Sequence, residues 1–421
     1  MRFDHRRAAG ALIRAGGPIT VAVAVQSAGN LIFHAVIGRF LPAGAYGALG
    51  TLLAAMVMLG IPLGALQTAA SAHAAAHGAN RPASFRSLRA VALWSLPPAL
   101  ATLLCAPLIS AYFHLDGSGE AAQLAPYLIV TALVATARGL LLGSRRVSVV
   151  AVSYVVATAV RLVAGLGLVL LFGVGGALAA TLLSEVAALL VAVRALARDP
   201  AGESGGTLRP RAVGGAAVAV TGLFVFSTVD LLLARHHLPT NESGSYVAAA
   251  TVAKTVLALP AGIMAAVFPR LVAAHGRAGR GRVLGQSLLA VTGPALLGAA
   301  VVVAVPALVL RLLYGDQYAG ATALVQILAA VAGLTSVVTV LTNAALARRS
   351  WVTLVPWAGA ALEIALIEFR HGSADQIAVC SAAALLPTLL VIALAEGRAW
   401  IGRAAPPHAG TPDLTTRKGT T

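Results

Sequence analysis

The chain contains few charged residues. Only 10% of its 421 residues are Asp, Glu, Lys or Arg, and the mean hydropathy is +0.88, whereas soluble domains carry about a quarter charged residues. This composition excludes a soluble globular protein. The only two cysteines, Cys105 and Cys380, lie in apolar segments, which excludes an exposed disulfide framework or a thiolate metal site.

Motifs for energy-coupled or metal chemistry are also missing. No Gly-x-x-x-x-Gly-Lys-[Ser/Thr] sequence occurs, which excludes a built-in ATPase of that type. His236 and His237 are adjacent without further spaced ligands, so they indicate solvated interfacial residues rather than a metal site. The net charge of +16 comes from short dispersed clusters, which argues against a nucleic-acid partner. We expect no cofactor, no metal and no enzymatic activity.

Apolar runs dominate the remaining sequence. A helix needs about 20 apolar residues to cross a bilayer, and runs of this length recur between clusters of charged and turn-forming residues. They predict twelve transmembrane spans: 18–37, 45–72, 90–113, 122–142, 147–171, 174–194, 212–234, 245–272, 284–312, 318–346, 351–368 and 375–396.

The positions of arginine and lysine predict the orientation. The N-terminus, the even-numbered connections and the C-terminal tail together carry 24 of the 30 basic residues. Because basic residues concentrate on the cytoplasmic side of bacterial-type membrane proteins, both termini are predicted to be cytoplasmic. The protein is expected to be a multi-pass component of the cell membrane.

The two halves of the chain resemble each other. At an offset of 200, Ser27, Gly44 and Tyr46 correspond to Ser227, Gly244 and Tyr246. Six spans per half is an even number, so the copies should run in the same direction about a pseudo-two-fold axis along the membrane normal. The predicted organisation is an N-terminal lobe (1–198), a cytoplasmic linker (199–212), a C-terminal lobe (213–398) and a disordered cytoplasmic tail (399–421).

Several spans contain ionisable or strongly polar residues. A charge at the centre of a span costs about 2.5 to 3.5 kcal/mol on insertion scales, so such residues usually face a polar cavity or one another. The set with predicted roles in a cavity consists of Gln26, Asn30, Arg161, Glu185, Asp230, Lys254 and Glu363.

Two interpretations of these residues remain open. Asp230 and Lys254 lie on neighbouring spans at depths that allow an ion pair, and Arg161 and Glu185 form a second candidate pair; such pairs could be purely structural. Alternatively, the residues line an aqueous cavity between the lobes. Asn30 is the counterpart of Asp230 in the repeat, so spans 1 and 7 would present related polar positions near the pseudo-axis.

The chain resembles the polysaccharide and oligosaccharide flippases of the multidrug/oligosaccharidyl-lipid/polysaccharide (MOP) exporter superfamily. The resemblance covers nearly all twelve spans through loose motifs, "NLIFHAVIGRFLPAGAYGAL" and "GIPLGALQTAASAHAA" in the first half and "STVDLLLARHHLPTNESGSYVAAATVAKTVLALP" in the second. It implies an all-α fold of six plus six helices around a central cavity. It also implies transport, by alternating access, of a lipid-linked saccharide carried on a polyprenyl diphosphate, and functional association with glycosyltransferases and membrane lipids.

Within this resemblance, Arg161 and Lys254 are the basic residues that lie well inside spans, away from the span ends, and are predicted to bind the phosphate-bearing headgroup. Asn30, Gln26, Asp230, Glu185 and Glu363 are predicted to contact the sugar or to couple transport to an ion. The alternative is a proton- or sodium-coupled exporter of drugs or small metabolites. A non-transporting scaffold is a third interpretation.

Overall fold

The computed structural model describes residues 5–78, 80–200, 208, 214–256, 263–264, 267, 271, 277–348 and 350–401. Most of the predicted linker, the tail beyond residue 401 and most of the inner half of span 8 lie outside these residues. Within them every regular element is a helix. The predicted all-α membrane fold of two six-helix lobes is confirmed.

The N-terminal lobe contains seven helices: α1 (His5–Phe40), α2 (Ala43–His77), α3 (Arg81–Leu104), α4 (Ala106–Tyr112), α5 (Ser118–Ala122), α6 (Leu124–Gly143) and α7 (Val147–Leu196). The described residues of the C-terminal lobe form eight: α8 (Gly214–Phe226), α9 (Val229–His237), α10 (Thr240–Thr255), α11 (Arg277–Ala304), α12 (Pro306–Tyr314), α13 (Thr322–Ala347), α14 (Val355–Phe369) and α15 (Ala374–Ile401). Two 3₁₀ segments, Gly315–Ala321 and Trp351–Leu354, precede α13 and α14.

Nine segments of the described chain are long and apolar enough to cross a membrane. Spans 5 and 6 count once, because α7 runs through both; Gly173 joins its two arms with φ 54° and ψ −129°, a conformation that favours glycine. Span 7 was predicted as one helix, but it is split into α8 and α9, of 13 and 9 residues. Span 8 is represented by the 16 residues of α10. The twelve predicted spans are thereby accounted for.

Spans 3 and 9 are both interrupted near their outer ends. Cys105 separates α3 from α4, and Val305 separates α11 from α12, an offset of 200 residues. The repeat therefore continues beyond spans 1 and 2. It also holds at the start of α2 and α10, where Pro42 and Pro239 precede the helices with φ −56°, ψ 151° and φ −52°, ψ 149°.

The connections separate into two faces as predicted. Arg81 N donates to Pro200 O, and Arg146 pairs with Asp199, so connections 2, 4 and 6 meet at one face, here called the inner face. Odd-numbered connections meet at the opposite, outer face, where Gln317 of the C-terminal lobe donates to Leu41 O of the N-terminal lobe.

At the outer face the lobes touch through glycines. A Cβ on Gly244 of α10 would lie 1.9 Å from Ala43 O of α2, and one on Gly47 would lie 2.8 Å from Ser243 Oγ. Small residues allow helix backbones to approach this closely. The outer halves of α2 and α10 therefore form a direct backbone contact that closes this side of the molecule.

We expect Gly244→Ala to destabilise this contact by about 1 to 3 kcal/mol, because the added methyl meets a carbonyl that side-chain rotation cannot move. Thermal unfolding of the purified protein in detergent measures the effect. The matched control is Gly293→Ala in α11, where a Cβ meets no atom within 4 Å and the helix should gain slightly. Equal melting temperatures for the two variants would contradict the close contact.

Candidate translocation site

The C-terminal lobe holds a cluster of charged residues between α9, α10 and α14. Lys254 Nζ lies 3.6 Å from Asp230 Oδ1, and Tyr246 OH donates to Asp230 Oδ2 at 2.9 Å. Asp230 is 6% exposed and Glu363 is 2% exposed. The predicted pairing of Asp230 with Lys254 is therefore present. We call this cluster, with the space that it encloses, the carboxylate cavity.

The split in span 7 positions Asp230. Ser227 Oγ donates to Phe224 O, three residues back, and such back-bonding from Ser or Thr favours bending of a helix. The new helix starts at Val229, which places Asp230 in its first turn. A carboxylate there is stabilised by the positive end of the helix dipole.

The carboxylate cavity has a volume of about 40 Å³ and is lined by Asp230, Lys254, Glu363 and Ser381 together with apolar residues. This holds a few water molecules or a monovalent cation, and not a saccharide. Asp230 Oδ1, Lys254 Nζ and Glu363 Oε2 have no hydrogen-bond partner among the described residues. Buried polar atoms require partners, so the cavity is suited to a small hydrated or cationic occupant.

Arg161 occupies the N-terminal lobe, on the first arm of α7. Its Nη1 donates to Asn30 Oδ1 of α1 at 2.9 Å, and its guanidinium lies 4.1 Å from the centre of the Phe33 ring. Arg161 Nε has no partner in the described chain. Asn30 is exposed and Arg161 is half-buried. Because an arginine facing lipid at this depth would be costly, we infer that this surface faces water.

The predicted pair of Arg161 and Glu185 does not form. No ion pair joins them within the described residues, and the partner of Arg161 is Asn30. Glu185 is half-buried on the second arm of α7, and Gln26 lies one turn before Asn30 on the same helix. A shared span depth did not bring Arg161 and Glu185 together, because the rotation of each arm decides which way its side chains point.

The role of the two repeated tyrosines was not predicted from the sequence. Tyr46 and Tyr246 are both fully buried. Tyr246 bonds Asp230, whereas Tyr46 OH lies 3.0 Å from His34 Nδ1 and 3.1 Å from Tyr314 OH of the other lobe. The correspondence of the two tyrosines in the repeat could have indicated these contacts, because a hydroxyl that is buried in both copies needs a polar partner in each.

Arg235 fastens the C-terminal lobe to the N-terminal lobe at the outer face. Its guanidinium donates to Phe113 O at 2.8 Å, to His114 O at 2.9 Å and to Gly44 O at 3.2 Å. A further bond at 3.0 Å reaches Ser243 Oγ in its own lobe. The first two acceptors follow directly after α4, where helix carbonyls lack partners and a cation is favourable.

Arg39 makes the reciprocal connection. It extends from the end of α1 and donates through Nε to Leu313 O, 2.9 Å away, and through Nη2 to Leu312 O. These carbonyls belong to the last turn of α12, the repeat counterpart of α4. Each lobe thus contributes one arginine that caps a short helix of the other. We call Arg39, Arg235 and the carbonyls that they bind the outer clasp.

Histidines surround the Arg235 side of the outer clasp. His236 stacks on Tyr112 of the other lobe with ring centres 3.9 Å apart, and its Nδ1 lies 2.8 Å from Tyr112 O. His237 stacks on His371 at 4.1 Å and lies 3.3 Å from Glu368 Oε1. No group of His, Cys, Asp or Glu in the described chain has the arrangement of a metal site.

Solved structures with this fold are transporters. An inward closed structure of the lipid II flippase MurJ has a TM-score of 0.69 at 9% identity, covering 91% of this chain and 87% of that chain. An inward-facing multidrug resistance MATE family transporter has a TM-score of 0.66 at 14% identity, covering 90% and 96%. No family profile and no curated protein matches the chain. The chain has the fold of MOP-superfamily transporters.

An outward-facing structure of a multidrug resistance MATE family transporter also shares the fold, with a TM-score of 0.62 at 17% identity, covering 93% of this chain and 95% of that chain. Both classes of structure extend over nearly all of the chain. The similarity therefore concerns both lobes and does not by itself favour a drug or a lipid as substrate.

We expect Lys254→Met to destabilise the protein by about 3 kcal/mol, because it leaves the buried Asp230 carboxylate without its cation. Asp230→Asn should cost less, about 1 kcal/mol, because asparagine keeps an oxygen acceptor for Tyr246 and the long Lys254 side chain, one-third exposed although its Nζ is buried, can turn toward water. The double variant should recover most of the loss. Thermal unfolding of the four proteins tests this. Losses that simply add would contradict an interaction between the two residues.

The packing of His237 against Glu368 and His371, beside the outer clasp, should weaken in acid. Burial lowers the pKa of His237, which lies beyond the predicted end of span 7, and its hydrogen bond to Glu368 opposes this only in part. A folded-state pKa below the ordinary value of about 6.5 means that the stability contribution is complete above that value and is lost as the pH falls through it. Protonation also places a charge against His371 and His236.

Hydrogen exchange of residues 112–118 and 370–375, corrected for intrinsic rates, measures this effect. We expect faster exchange at pH 5.5 than at pH 7.5 in the wild type, and a smaller difference in His237→Gln. An unchanged difference in that variant would show that another group titrates.

Proposed function

We propose that the protein flips a lipid-linked saccharide across the membrane by alternating access. The observation that carries the proposal is Arg161, a cation on a predicted membrane span that is held by the amide of Asn30 and the ring of Phe33. The shared fold with the lipid II flippase supports it. The substrate class is a saccharide on a phosphate-bearing lipid carrier, which a polyprenyl diphosphate would satisfy and which glycosyltransferases would supply.

Arg161 is suited to bind a phosphate. A guanidinium presents five donors in a rigid fork that matches phosphate oxygens. Asn30 engages one nitrogen and the ring of Phe33 covers one face, so the group is oriented before substrate arrives. The remaining Nη N–H groups are the donors that we assign to an anionic headgroup, because Nε is buried. Asn30 and Gln26, one helical turn apart on α1, are then placed to bond sugar hydroxyls.

The carboxylate cavity is the proposed coupling site. Asp230 and Glu363 surround a space of a size suited to a small cation, and Lys254 stands at its side. When a proton or sodium ion neutralises Asp230, the attraction between Asp230 and Lys254 falls. The Lys254 ammonium is then released to attract the substrate phosphate. Through this exchange, occupation of the cavity by a cation would favour occupation of the main site by an anion.

In the proposed cycle, the outer clasp closes the outer face of the protein. With Arg39 and Arg235 engaged, the lobes are held together at the outer face, and substrate must enter from the inner side or from the bilayer. Release to the outside requires all the cross-lobe bonds of the two arginines to break together. Cation and substrate binding would shift the population toward that open state.

A reconstituted flipping assay tests the proposal. Proteoliposomes carry a fluorescent saccharide on a polyprenyl diphosphate, and a membrane-impermeant quencher reports the fraction in each leaflet. We expect Arg161→Gln to slow flipping about tenfold or more, because hydrogen bonds to charged groups contribute about 1.5 to 3 kcal/mol. Arg161→Lys should retain part of the rate. The control is Arg89→Gln, an exposed inner-face residue, which should flip at the wild-type rate.

Normal flipping in Arg161→Gln would reject the site assignment. Absence of flipping in the wild type, with efflux of a cationic drug driven by a proton or sodium gradient, would favour the alternative of an ion-coupled exporter. The carboxylate cavity supports that alternative, since Asp230→Asn should abolish such efflux while Arg161→Gln leaves it unchanged. If the folded protein shows neither flipping nor efflux, a non-transporting scaffold is favoured.

A further inference from the structure

A second cationic groove opens on the inner face of the N-terminal lobe, between the two arms of α7. It has a volume of about 370 Å³ and is lined by Arg146, Arg194, Arg198, Val149, Val152 and Val191. Residues 146–152 start the first arm and residues 191–198 end the second. The groove therefore lies at the level where the helices leave the membrane, remote from Arg161, which is about 21 Å further along the first arm at 1.5 Å per residue.

The arginines of this groove carry more positive charge than the described residues neutralise. Arg146 pairs with Asp199 at 2.6 Å and donates to Ala195 O at 3.0 Å, which fixes it at the groove wall. Arg194 and Arg198 are exposed, and the described part of the chain supplies neither with a hydrogen bond or an ion pair. One carboxylate against three guanidinium groups leaves a net charge of about two positive units, suited to a phosphate.

Apart from Ser148, the remaining lining is apolar. Val152 is 51% exposed, and Val149 and Val191 stand next to the arginines along the same groove. A soluble anion would gain nothing from these valines. A phospholipid would use both parts, because its headgroup phosphate lies at the interface and its acyl chain continues along the apolar helix surface.

We propose that this groove binds the headgroup phosphate of an anionic phospholipid from the leaflet at the inner face. Arg194 and Arg198 contact the phosphate, Arg146 supports the site from its ion pair with Asp199, and the valines contact the acyl chain. The bound lipid joins the two arms of α7 at their open end, opposite the turn at Gly173. It thereby holds the peripheral hairpin of the N-terminal lobe together while the lobes move.

Binding of short-chain phosphatidylglycerol tests the proposal. The full-length protein is placed in nanodiscs of phosphatidylcholine, and titration calorimetry follows addition of short-chain phosphatidylglycerol, short-chain phosphatidylcholine or inorganic phosphate. The groove variant is Arg194→Gln with Arg198→Gln. The control variant is Arg89→Gln with Arg282→Gln, which removes the same charge from exposed positions on the inner face.

We expect saturable binding of phosphatidylglycerol, weakened about thirtyfold in the groove variant, since each arginine near an anionic lipid contributes about 1 kcal/mol. The control variant should bind as the wild type does. Equal weakening in both variants, or equal binding of phosphatidylcholine, would overturn the proposal. Inorganic phosphate binding as tightly as the lipid would also overturn it, by identifying a site for a soluble anion. Thermal unfolding confirms that both variants are folded.

Discussion

A hydrocarbon layer offers no water to complete a hydrogen bond, and this constraint organises every polar group in the molecule. Each charge within or beside the bilayer must find its partners in the protein or in an aqueous space. Arg235 has four acceptors, Asp230 has a lysine and a tyrosine, and Arg161 has an amide and a ring. Arg161 and the residues of the carboxylate cavity are among the described groups that lack full hydrogen bonding, so a ligand there would gain bonds that the described residues do not supply.

The two lobes are alike in architecture and unlike in charge. Both copies break their third span at corresponding positions, begin α2 or α10 after a proline of the same conformation, and bury a tyrosine at the same place. The polar partner of that tyrosine differs, however. Tyr46 meets His34 and the other lobe, whereas Tyr246 meets Asp230 inside its own lobe. In the function that we propose, the common scaffold would allow the lobes to rock, and the unequal partners would divide anion binding and cation binding between them.

Much of the fold follows from hydropathy and charge. Apolar length predicted the spans, and the distribution of arginine predicted which connections share a face, because both depend on local sequence alone. The split of span 7 was not predicted, since neither glycine nor proline marks it and the Ser227 hydroxyl bonds back to Phe224 O at the break. The pairing of Arg161 with Asn30 was also missed, because span depth gives no information on helix rotation. The role of Arg235 was not predicted from the sequence, since its acceptors in the other lobe lie 121 to 191 residues away.

The outer clasp tolerates most substitutions in the segments that its arginines bind. Arg39 and Arg235 reach across the lobe boundary mainly to main-chain carbonyls, which every amino acid supplies. Substitution at residues 113, 114, 312 or 313 therefore leaves the acceptors in place, and only insertion, deletion or loss of an arginine removes them. A contact of this kind does not depend on the side chains of the loops that it binds. The sequence of those loops can therefore change extensively while the contact between the lobes is kept.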